Sequence, residues 1–178
     1  VLVIADRDND PEWIASDLLA QAEHDTAAQS ILMTDDANFA AAVEQAVGRQ
    51  LQSLPRGNIA GESWNAFGAT IVLKSLGEAP PLADRIAAEH LEIATRDAED
   101  LSNRIRNAGA IFIGHATPEV IGDYVSGSNH VLPTARSAKF SSGLGVLDFM
   151  KRTSILKLDE AALATLDTAR RVAPMRAD

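Results

Sequence analysis

Short runs of β-branched and aliphatic residues recur along this chain, separated by stretches with helical start and stop signals. That alternation is the pattern of a parallel sheet with helices packed on its faces. The runs at 1–5, 30–33, 70–73, 91–94, 110–113 and 154–158 read as strands. Asp10 caps a helix whose first position is Pro11, where a missing N–H costs nothing, and that helix extends to about His24. Asp36 opens the next, to about Leu51, and Pro81 opens a short one to Ala87. Thr95 caps a helix that closes before Gly109, and Asp159 caps the last, which Pro174 ends. The predicted fold is α/β, with a parallel or mostly parallel sheet and helices on both faces. At 178 residues the chain suits one domain, since domains cluster near ~100–150 residues. It opens on Val1, already inside a strand-like run, which reads as a fragment of a larger domain.

Composition narrows the function. Hydrophobic residues make up 46% and no apolar run approaches the ~20 residues that span a bilayer, so a soluble protein is expected. A formal charge of -9, with Lys and Arg scattered, would repel a phosphate backbone and argues against nucleic acid as a partner. The absence of cysteine excludes disulfides and thiolate metal sites. No basic segment followed by an apolar stretch stands at the N-terminus, and a cytoplasmic setting is expected.

Three constellations carry side chains able to do chemistry. In Gln21-Ala22-Glu23-His24, Gln21 lies on the helix stripe of Ile14 and Leu18, and His24 points to nearly the same side. Two such donors at a spacing of three could share a metal ion. A helix end with a histidine favoured by the macrodipole and a satisfied glutamine accounts for them more simply, since such polar pairs are common there and glutamine is a poor zinc ligand. Glu89-His90 precedes the run at 91–94, where a carboxylate and an imidazole could divide acid and base duties. Strand neighbours point apart, so one exposed and one core side chain is the alternative. The third lies in the segment 122–145, which has no clean period and reads as one long loop of the kind that is functional or disordered. There Asp123 could complete a metal site and His130 could meet a substrate, although Asp, Asn and Ser also populate ordinary turns. A solvated loop position suffices for His115.

Taken together, the strings DLLAQAEHD, AEHLEI, AGAIFIGHATPEVIGDYVSGSNHVLPT and FSSGLGVLDFMKRTSI resemble the histidinol dehydrogenase family, in this order and over nearly the whole chain. The resemblance implies a zinc enzyme of histidine biosynthesis that oxidises L-histidinol to L-histidine, through an aldehyde, in two NAD-dependent steps. It implies an incomplete Rossmann-like half of the catalytic domain. Gln21, His24 and Asp123 match the family's zinc ligands and, with His90, its substrate-binding residues. Glu89 and His90 match its two proton acceptors, and His130 a substrate-side histidine. The family works as a homodimer whose other subunit supplies a fourth ligand, and its NAD contacts are expected outside this chain. Ala88 stands where the family usually has proline before the Glu-His pair. A non-catalytic α/β module that binds metal or assembles with a partner is the alternative reading, and a nicotinamide-free zinc hydrolase is a third. One feature runs against the usual geometry: Gln21 and His24 are at a helix C-terminus, whereas ligands of open α/β sheets gather beyond the carboxyl ends of the strands.

Overall fold

The computed structural model describes residues 1–124, 127 and 129–172, without the side chains of Asp123, Tyr124 and residues 167–172. Five parallel strands form one sheet: β1 (Leu2–Ala5), β2 (Ile31–Thr34), β3 (Ala69–Val72), β4 (His90–Ala94) and β5 (Ala110–Ile113), in the spatial order β3-β2-β1-β4-β5. The order reverses between β1 and β4. The first two crossovers hold α1 (Pro11–Ala22), α2 (Ala37–Gln50) and α3 (Gly57–Phe67), and the last two hold α4 (Ala79–Ile86) and α5 (Ala98–Ser102). Alternation along each strand divides the apolar residues between two layers. Val1, Val3 and Ala5 pack with Ile14, Leu18, Val43 and Val47 of α1 and α2, while Leu2, Ile4, Leu91 and Ile93 pack with Ala79, Ala83 and Leu101 of α4 and α5. Because both faces are covered, β1, β2 and β4 read as continuous buried runs.

The helix starts follow their caps. Asp10 accepts from the Glu12 N–H and Asp36 from those of Asn38 and Phe39, as their positions ahead of Pro11 and Ala37 predict. α4 ends on Ala87 in the left-handed region, which turns the chain sharply toward Glu89 and β4. Thr95 does not cap the helix after β4. The helix starts at Ala98 behind Asp97, and the Asp6 carboxylate takes the Arg96 N–H instead, tying the end of β4 to the end of β1. α3 was not among the expected helices; it starts at Gly57, two residues after Pro55, where proline is tolerated because it lies just ahead of the helix.

The described residues up to Gly145 form one compact unit and those from Val146 on form another. The second holds a 3₁₀ turn at Val146–Phe149 and α7 (Glu160–Val172), whose start Asp159 caps by accepting from the Ala162 N–H. The sixth strand expected at 154–158 is absent: these residues form no ladder, and Ile155 and Leu156 are 87% and 92% exposed. β-branched content alone does not make a strand without a partner to take its N–H and C=O groups.

Candidate active site

α1 runs antiparallel to the strands it covers, so its C-terminal end lies at the edge of the sheet where β1 and β4 begin. Asp17, Gln21 and His24 follow one another at spacings of four and three, a single helical stripe. α1 itself stops at Ala22, and His24 sits in the turn beyond, its N–H bonded to the Gln21 carbonyl at 3.1 Å. Arg56, ahead of α3, donates to the His24 carbonyl at 3.3 Å. Gln21 is half-buried, with Oε1 3.4 Å from the Val1 nitrogen.

Glu89 occupies the bend before β4 and His90 is its first residue, so strand alternation does not yet separate them. A close approach holds the bend. The Ala110 N–H bonds the Glu89 carbonyl at 2.9 Å, and a Cβ on Gly109 would stand 2.5 Å from that oxygen. On the far side, α6 (Ile121–Tyr124) is laid over β5 through Gly122, where a Cβ would meet the Phe112 ring at 2.8 Å. The same ring stands 6.2 Å from the His90 imidazole, centroid to centroid.

These elements enclose a cleft of about 550 Å³ lined by Gln21, His24, Glu89, His90, Glu119 and His130. Two of the three constellations, and the histidine of the third, thus meet in one place. Asp123 is on α6, beside this cleft's wall in sequence, but its side chain lies outside the described residues. His115 does not join them. It sits past the other end of the sheet, with Nε2 3.1 Å from Asp6 Oδ1.

Three carboxyls went unmarked in the sequence: Glu119 in the wall of the cleft, and Glu92 and Asp17 behind it. Glu119 Oε1 is 3.4 Å from His90 Nε2, and both side chains are nearly buried. Glu92, two residues past His90 and on the same face, is 3% exposed and faces Asp17 of α1. Burial pushes the Glu92 carboxyl up to about 8, helped by the negative charge of Asp17, and burial raises Asp17 to about 6. A hydrogen bond between the two carboxyls requires that one of them carry a proton. The stripe spacing from Gln21 would have found Asp17, and the strand period from His90 would have found Glu92. Nothing in the sequence marked Glu119.

The family model of histidinol dehydrogenase matches residues 1–175. The histidinol dehydrogenases of Brucella suis biovar 1 and Rhizobium meliloti are each 68% identical to this chain over 169 residues, covering 95% of it and 39% of the relative. A crystal structure of histidinol dehydrogenase from Elizabethkingia anophelis superposes with a TM-score of 0.82 at 36% identity, over 94% of this chain and 39% of that one. The chain therefore spans about two fifths of the length of the relatives it matches. With the family model covering nearly every residue, the chain belongs to the histidinol dehydrogenase family.

Proposed function

We propose that this cleft is the chain's share of the active site of a zinc-dependent, NAD-linked histidinol dehydrogenase, which oxidises L-histidinol to L-histidine through histidinal. The observation that carries the reading is the convergence of Gln21, His24, Glu89, His90 and His130 on one cleft.

The donor chemistry there suits a cation. The C-terminal end of α1 presents the negative pole of its dipole to the cleft, and an imidazole and an amide oxygen stand beside it. Among the described residues no group of three or more His, Cys, Asp or Glu is gathered to hold a metal, so Gln21 and His24 would need Asp123 as a third ligand. In this reading the partner subunit of a cytoplasmic homodimer supplies the fourth. When bound, zinc would orient the substrate and polarise its oxygen.

The chain's own residues then handle protons. His90 takes the hydroxyl proton, and the hydrogen on the carbinol carbon would leave with its bonding pair as hydride to NAD, held outside this chain. Glu89 takes a proton from the water that hydrates the aldehyde before the second oxidation. A weak and a stronger base suit two steps of different acidity. Gln21, His24 and Asp123 would also line the substrate, with His130 closing the cleft from the segment after α6. Among the described residues no helix is long and apolar enough to cross a membrane.

The test is histidinol-dependent NADH formation by the zinc-loaded full-length protein, with His90→Gln and His24→Ala alongside. Activity in the native protein, lost in both variants, supports the reading. Undiminished activity in His90→Gln would overturn it.

A further inference from the structure

His90 and Glu92 stand two apart on β4 and therefore on one face of the sheet, the face that α1 covers. Both reach the same residue. The Glu119 N–H donates to the Glu92 carboxyl, and the Glu119 carboxyl meets the His90 ring at 3.4 Å. Asp17 closes the row from α1 by bonding Glu92. His90, Glu92 and Glu119 are 8%, 3% and 7% exposed, so this is a dry row of polar groups where an apolar side chain would pack at lower cost. Retaining acids there needs a reason beyond packing.

We infer that Glu119 is a positioning residue for His90: its carboxylate holds the imidazole and stabilises the positive charge the ring acquires on taking the substrate proton, while Glu92 fixes Glu119 by its main chain. The inference rests on the reading of His90 as the base. The proton leaves the substrate hydroxyl oxygen and bonds to a ring nitrogen of His90. Glu119 accepts a hydrogen bond from the ring and takes no proton, while the C–H bond of the carbinol carbon breaks and its hydrogen would leave with the bonding pair as hydride to NAD. The other groups facing His90 are Glu89 beside it in the chain, Glu92 and Asp17 behind it, and His24, His130 and Arg56 around the cleft. Burial lets Glu92 and Asp17 keep a proton between them near neutral pH, and the carboxyl set directly against the ring is that of Glu119, 3.4 Å from Nε2.

The test measures kcat, KM and zinc content of the full-length protein across pH for Glu119→Gln, Glu119→Asp and His90→Gln. Glu119→Gln should lower kcat by about tenfold or more, with KM within about threefold of native. It should also move the acidic limb of kcat/KM down by about one pH unit, because the imidazolium loses its counter-charge. Zinc content should stay native, and Glu119→Asp should recover part of the loss. If His90→Gln abolishes activity while Glu119→Gln changes neither kcat nor the limb, the inference fails and the reading of His90 stands. If His90→Gln is active, both fail. Should Glu119→Gln not fold, ¹⁵N-histidine spectra of the native protein and Glu119→Asp decide. Imidazolium of His90 persisting to higher pH in the native protein supports the inference, and identical titration in the two overturns it.

Discussion

Adjacent side chains on a strand face opposite ways, yet Glu89 and His90 both line the cleft because the strand begins only at His90. The pair was legible in the sequence. Its shared orientation was not, since it depends on where the ladder starts and on the left-handed Ala87 that aims the bend. On the proposed reading, Glu89→Gln in the full-length protein should slow the aldehyde-to-acid oxidation by about 10²–10⁴-fold and leave zinc content intact, because an amide takes no proton from water. Assaying each oxidation separately, with histidinol and with histidinal, checks this; equal loss in both steps would assign Glu89 a structural role. The bend makes a second demand. Gly109→Ala would drive a methyl group onto the Glu89 carbonyl, so the strand end must shift, at an expected cost of about 1–3 kcal/mol in denaturant unfolding together with reduced activity. Of the polar residues behind the site, Asp17 and Glu92 follow the helix and strand periods of Gln21 and His90. Glu119 reaches His90 from a turn after β5, a long-range contact that no local period encodes.

Between elements, the α1–β4 contact carries two buried carboxyls, Asp17 and Glu92. Glu92 is a carboxyl whose pKa is higher in the folded chain than in the unfolded one, raised from 4.5 to about 8 by burial first and by Asp17 second. The folded state therefore binds more protons than the unfolded state between those values, and stability falls as pH rises from 4.5 through about 8. Glu92→Gln, which keeps the shape and removes the titration, should flatten that slope. It should leave the variant roughly 1–3 kcal/mol more stable than native at mildly alkaline pH, relative to their difference at pH near 5. Urea unfolding at the two pH values measures it, and parallel slopes in the two proteins would refute it. The elements themselves were mostly readable: five of six expected strands form, and Asp10, Asp36 and Asp159 cap where their positions say they should. The segment 122–145, expected as one loop, holds the end of α6 and a 3₁₀ turn at Ser137–Lys139, and α4 starts at Ala79, ahead of Pro81. The expectations that failed at Thr95 and at 154–158 each treated a local preference as sufficient. Asp6 takes the Arg96 N–H next to Thr95, and no neighbouring strand pairs with 154–158.

Across the whole molecule, the cleft sits at the edge where the strands begin, opposite the point beyond their carboxyl ends where the order reverses between β1 and β4. Ligands of open α/β sheets usually occupy that reversal because helix N-termini point into it. Here it is occupied by acids paired locally: Asp6 with His115 and Asp8 with Arg96. The opposite edge offers the C-terminal end of α1 instead, an electrostatic setting for a cation and not for a phosphate. That contrast makes metal binding the sharper test of the molecule as it stands. If Gln21, His24 and Asp123 are its ligands, as proposed, the 178-residue chain should bind zinc more weakly than a protein of the relatives' length, because an amide is a poor donor and a tetrahedral site needs a fourth ligand. Affinity should fall further on mild acidification, since protons compete with the metal for any imidazole ligand, and His24→Ala should lower it by about tenfold or more. On its own the chain should also fail to reduce NAD with histidinol at a rate near that of the full-length protein, since orientation of the nicotinamide accounts for several kcal/mol of barrier. Calorimetric zinc titrations of the chain at neutral and mildly acidic pH, repeated on His24→Ala, check the first three expectations. Tight binding that ignores both pH and the substitution would place the metal on other residues.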